Sequence, residues 1–209
     1  RRLVWFRDHG TSSEQREALL YLREHAAPES VILAEYYATR NIPSFVGHSY
    51  GLTFRNRPPR VPSAPKDLER FYAVDRLDAR NVQTLDLHAV DYVIVGSTSQ
   101  VSRQLDAVGP AFLPVYANPV YTIYRAQPGW QQDAGLAQMV AADALYEARD
   151  YVEAEGAYDE LLRLAPDNFW ALYQLARVAE ARDALAGAAE LYERSLAIRP
   201  AAETHARLG

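Results

Sequence analysis

From about residue 135 to residue 200 apolar positions recur with a helical period, and the pattern repeats itself after 34 residues. Ala142, Leu145, Ala154, Tyr158, Leu161 and Pro166 are matched in order by Ala176, Ala179, Ala188, Tyr192, Ser195 and Pro200. Leu172 and Leu175 open the first helix of the second unit. Small residues let two paired helices approach closely, and the aromatics fill the groove between neighbouring pairs. Each proline ends a unit, because it cannot continue a helix and restricts the residue before it. The reading is all-α helical hairpins over 135–209, with two full units and a partial third in AAETHARLG, where Leu208 arrives one residue ahead of the period.

The front of the chain carries a different pattern. Ser12 with Gln15, and Thr11 with Glu14, have capping-box spacing ahead of a helix from Ser13 to Ala27, which Pro28 to Ser30 ends. VILAEY at 31–36 reads as a buried strand, SFVG at 44–47 as a short one, and residues 63–73 and 79–90 as helices. DYVIVG at 91–96 is a continuous apolar run closed by glycine, the mark of a strand covered on both faces. FLPVYA at 112–117 and VYTIYR at 120–125 flank Asn118-Pro119 and predict an antiparallel hairpin. This order predicts an α/β domain over 1–127, a small mixed sheet with flanking helices. A linker over 128–134 follows, with Trp130 packing at the junction.

Composition narrows the function. No apolar run reaches the length of a bilayer span, and no cysteine is present, which excludes disulfides and thiolate metal sites. Residues 1–130 hold 15 basic and 13 acidic side chains, net +2, whereas 131–209 hold 7 and 14, net −7. An acidic helical surface repels nucleic acid and anionic membranes; it receives a basic partner segment or is simply solvated. The chain has no glycine-rich phosphate loop, no GxSxG elbow and no HExxH pair. The histidines at 9, 25, 48, 88 and 205 lack ligand spacing, so no metal or cofactor is expected, and His25 and His88 fall near helix C-termini, where they favour the dipole.

With its small, small, aromatic, proline order, the 34-residue unit resembles the tetratricopeptide repeat; the tryptophan that often opens that repeat is replaced by Gln138 and Leu172. The resemblance covers about 135–200 and implies docking of a protein or peptide in a groove. In the front domain, VILAEY is followed by IPSFVGHSYGLT at 42–53, LERFYAV at 68–74, HAVDYVIVG at 88–96 and FLPVYANPVYTIYRA at 112–126. Over residues 13–126 this order resembles the soluble C-terminal domain of polytopic GT-C-class glycosyltransferases, which use lipid-phosphate-linked sugars. The resemblance implies an extracytoplasmic location, periplasmic or extracellular, within a multi-pass membrane protein. The family's catalytic acid lies between early membrane helices, so no catalytic residue is carried over. A chain opening at Arg1 and breaking off inside a third unit is expected to be a piece of something longer, with about ten spans upstream in the family's pattern.

The densest polar constellation is the loop after the first strand. Glu35 and Tyr36 fall at the strand's C-terminal end, where α/β sheets place ligands, and Arg40, Asn41, His48 and Tyr50 follow between glycines. Glu35, Asn41 and His48 are candidate hydrogen-bonding groups for a glycan, with Tyr36 or Tyr50 as a stacking face; the alternative is a structural Glu35–Arg40 ion pair. Arg55, Arg57 and Arg60, stiffened by prolines, form a basic loop that faces either lipid or polyprenyl phosphates or only solvent. The expected function is a non-catalytic extracytoplasmic region assisting acceptor or lipid-sugar recognition, with the repeats docking a partner. The alternative is a purely structural or protein-interaction module.

Overall fold

A computed structural model describes residues 12–34, 50–51 and 64–200. The chain divides into two compact units: the first takes Arg1–Asp75, Thr84–Ser102 and Pro114–Ala126, the second Arg76–Gln83, Arg103–Leu113 and Gln127–Gly209. The fold class is α/β with a mixed sheet, followed by helical hairpins.

Helix α1 (Ser13–His25) starts where the sequence places it, Ser12 Oγ accepting from the Gln15 N–H, and ends two residues early at the extended Ala26. Strands β1 (Val31–Leu33) and β2 (Tyr50–Gly51) pair in parallel. Helices α2 (Ala64–Val74) and α3 (Ala79–Leu87) follow, then β3 (Tyr92–Gly96). Helix α3 stops three residues short of the expected 90 because Ala89 takes a positive φ of 48°. Next come α4 (Gln100–Ala107), which the sequence pattern did not announce, β4 (Phe112–Ala117) and β5 (Tyr121–Ala126). The sheet order is β2-β1-β3-β5-β4, with β1–β3 parallel and β3–β5 antiparallel, hence mixed.

The α1 face of the sheet is the core of the first unit. Ala18, Leu19 and Leu22 meet Ile32, Ala34, Ile94 and Ile123 in one cluster, with Tyr21, Val115, Tyr116 and Tyr121 packed around it. Apolar residues at i, i+1 and i+4 of α1 put one stripe on a sheet that is itself apolar, which is why this helix docks here. Asn118 closes the β4–β5 hairpin: its N–H donates to Tyr121 O, and its side-chain oxygen accepts from the Val120 and Tyr121 N–H groups. His88 lies one residue past α3, and its Nε2 meets Asp67 Oδ2 at 3.2 Å in a buried pair, a role more specific than the helix dipole. Tyr124 is buried with its hydroxyl on Ser102, and that burial pushes the phenol up to about 12.

In the second unit a 3-10 turn (Trp130–Gln132), with Trp130 buried against the Phe112 ring, leads into four helices. These are α5 (Ala134–Glu147), α6 (Tyr151–Leu164), α7 (Phe169–Ala181) and α8 (Leu185–Ile198). The strongest packing is α5 on α6, α7 on α8, and α6 on α7.

Candidate functional site

Glu35, Tyr36, Arg40, Asn41 and His48 lie outside the described residues, as do Arg55, Arg57, Arg60 and the strand expected at 44–47. Tyr50 enters only through the backbone of β2, opposite Val31. The site with described geometry is in the helical hairpins.

The backbone itself repeats there. Arg149 and Asp183, 34 residues apart, both adopt the left-handed conformation, with φ of 63° and 60°. Around them the N–H groups of Asp150 and Ala184 reach back to the carbonyls of Leu145 and Ala179, at 3.0 and 2.9 Å. This six-to-one hydrogen bond around a left-handed residue satisfies carbonyls that a helix end leaves open. The second helices then begin at Tyr151 and Leu185 and end at Leu164 and Ile198, in the same register. Ala142, Ala154 and Tyr158 are fully buried, as are their counterparts Ala176, Ala188 and Tyr192 to within 2%. Leu175 is buried too, whereas Pro166 and Pro200 are exposed, each just past a helix end. Gln138, the counterpart of Leu172, donates through Nε2 to Ala157 O of the partner helix.

At Asp143 the side-chain chemistry departs from the repeat, since its counterpart is Arg177. Asp143 is a buried carboxylate that accepts from four side chains: Tyr158 Oη at 2.6 Å, Trp170 Nε1 at 3.1 Å, Gln174 Nε2 at 3.1 Å and Gln104 Nε2 at 2.5 Å. Gln104 is fully buried and its other end accepts from the Leu77 N–H at 2.7 Å. Burial pushes the Asp143 carboxyl above its ordinary range, against the pull of its four donors. The Tyr158 phenol is pushed well up, first by burial and then by the neighbouring Asp143 charge. Arg177, at the position equivalent to Asp143, donates to Gln174 Oε1 at 3.0 Å and lies 4.5 Å over the Tyr146 ring.

The sequence reading did not single out Asp143. Its signal was present: Met139, Ala142 and Asp143 share one face of α5, so a charge falls on an apolar stripe. Such a group needs partners, and Tyr158, Trp170 and Gln174 are the donors the hairpin register brings to it. The arrangement fixes four segments at one oxygen pair and supplies no nucleophile or acid–base dyad. Among the described residues no group of three His, Asp or Glu is placed to hold a metal ion, and no helix is long and apolar enough to cross a membrane. No family model, curated protein or solved structure matches the chain.

The raised pKa has a sign that can be tested. With the folded value above the unfolded carboxylate value of about 4, the neutral form favours folding. The contribution is fully present below about pH 4 and is lost as pH rises through the folded value. Asp143→Asn, which cannot titrate, removes that slope. Urea unfolding of both proteins from pH 3 to 8 is expected to show wild type losing stability relative to the variant as pH rises, then a plateau. A difference that stays constant across the range would refute the assignment.

Proposed function

We propose that this chain is a non-catalytic region that joins an α/β domain of the GT-C glycosyltransferase type to a tetratricopeptide-like pair of hairpins that docks a partner protein or peptide. The observation that carries the docking half is the backbone repeat, left-handed turn included, at a 34-residue spacing. Stacked hairpins of this period present a continuous face of first helices, here α5 and α7, on which an extended or helical segment can lie. The acidic excess of residues 131–209 suits a basic partner.

The glycosyltransferase half rests on the sequence resemblance over 13–126. It assigns the loop holding Glu35, Tyr36, Arg40, Asn41, His48 and Tyr50 to a glycan acceptor or polyprenyl-phosphate sugar, and Arg55, Arg57 and Arg60 to lipid phosphate. It puts the chain on the extracytoplasmic face of the membrane as part of a multi-pass protein. The described α/β part supports such a site to this extent: β1 is an inner strand whose C-terminal end leads straight into that loop.

Amide NMR titration of the whole chain separates the two halves. With a polyprenyl-phosphate sugar in detergent, shifts are expected around Arg40 and His48; with a basic peptide, on α5 and α7. Peptide shifts with no sugar response anywhere in residues 35–60 would leave only the interaction module.

A further inference from the structure

The sheet has a polar rim at the end where β1 runs into the loop of the glycan reading. Strands β2, β1 and β3 are parallel, so the C-terminal ends of β1 and β3 lie at the same end of the sheet. The chain leaves β1 for β2 on one side, and leaves β3 through α4 for β4 at the opposite edge. Neighbouring parallel strands whose connections part in this way open a crevice between them, and open α/β sheets bind ligands there. The described part of its rim is the turn after β3, Gly96 to Gln100, with Asp75 from just past α2. Thr98 is exposed. Ser99 is half-buried, and its Oγ accepts from the Ser102 N–H at 3.0 Å, which leaves the hydroxyl hydrogen to donate. The Asp75 carboxylate is exposed and accepts from the Gln100 N–H at 3.2 Å and the Val101 N–H at 3.5 Å.

We propose that this rim binds the uncharged sugar ring of the glycan and excludes phosphate. The inference rests on the glycan reading given above and deepens it by assigning one chemical class to the β3 wall of the crevice. Backbone N–H groups at the start of a helix are a ready seat for phosphate. At α4 a carboxylate of the protein already sits on them, and a second anion would meet it at close range and be repelled. No cation on the described rim offsets that charge: residues 96–100 carry none, and Arg76, next to Asp75 in the chain, is paired with Glu147. A sugar hydroxyl has the opposite fit. It donates to the Asp75 oxygens, whose lone pairs outnumber the two N–H groups they serve, and exchanges hydrogen bonds with the Thr98 and Ser99 hydroxyls. A phosphate on the same ligand is then turned away from β3.

The test is amide NMR of the whole chain, titrated with the methyl glycosides of glucose, galactose, mannose and arabinose, and separately with inorganic phosphate. Titration to about 100 mM reaches dissociation constants of millimolar order. At least one glycoside is expected to shift Thr98, Ser99 and Gln100 with saturation, and phosphate to leave Gln100 and Val101 unmoved. Thr98→Val, at an exposed position, is expected to keep the melting temperature and to weaken that glycoside about fivefold. Asp75→Gly suits the positive φ of 46° at this position and bares the two N–H groups. It is expected to weaken the glycoside about tenfold and to let phosphate shift Gln100 and Val101. Should that variant lose its circular dichroism, Asp75→Asn takes its place in the glycoside titration, with the same expected loss. Phosphate shifts at Gln100 and Val101 in wild type would overturn the inference. So would undiminished glycoside affinity in either variant, or a folded Asp75→Gly protein still silent to phosphate. A polyprenyl-phosphate sugar that shifts the amides around Arg40 and His48, while no glycoside saturates at 97–100, would overturn it and leave the glycan reading standing. Silence of both regions toward every sugar would overturn both.

Discussion

Asp143→Ala is expected to cost about 3 kcal/mol of stability, enough to lower the melting temperature by roughly 10 °C. The substitution leaves the donors of Tyr158, Trp170, Gln174 and Gln104 facing a small void, and burial allows them few other acceptors. Each unsatisfied buried donor costs about 1–3 kcal/mol, and relief of the carboxylate's own desolvation offsets part of the sum. Graded controls locate the effect. Tyr158→Phe removes a single donor and should cost about 1 kcal/mol. Asp143→Asn keeps one accepting oxygen and should fall between the two. Denaturant unfolding monitored by tryptophan fluorescence measures all three, and a cost below about 1 kcal/mol for the alanine variant would contradict the hub.

Residues 128–209 expressed alone are expected not to fold cooperatively. The cut removes Gln104 from Asp143, Asp106 from Arg199 and the Ala107 carbonyl from Asn168. It also removes Phe112 from Trp130 and Glu147's partner Arg76. Among the described residues there are two hairpins, fewer than repeat arrays usually need, and Arg76–Gln83 and Arg103–Leu113 belong to the same compact unit as these hairpins. The measurement is thermal unfolding by circular dichroism of the fragment against the whole chain. A sharp transition within about 5 °C of the parent would show that the hairpins stand alone.

The elements legible in the sequence were those whose own residues carry the pattern. DYVIVG reads as a strand because Val93, Ile94 and Val95 are buried on both faces, and FLPVYA with VYTIYR because a turn at Asn118-Pro119 separates them. The repeat was legible because Tyr158 and Tyr192, with their small neighbours, fill equivalent places. Helix α4 was not, since QVSRQLDA buries Ser102 and Gln104 alongside only two apolar side chains, Val101 and Leu105. Its buried polar groups are explained by partners far away in sequence, Tyr124 for Ser102 and Asp143 for Gln104. The candidate site suffered the same limit. Asp143 becomes visible only when α6, α7 and α4 converge on it. The loop of Glu35 and His48 was singled out from local density of polar residues, and lies outside the described residues.

Hairpins that share one backbone register carry a folding hazard, because each can pair with the wrong neighbour or with the same element of another molecule. Here the equivalent inward positions carry Asp143 in the first hairpin and Arg177 in the second. A slip by one unit would deliver a guanidinium to a nest of hydrogen-bond donors and strand a carboxylate at the aromatic stack of Tyr146. The charge reversal therefore works as an address label: at this inward position it sets the two hairpins apart and gives the pair a direction.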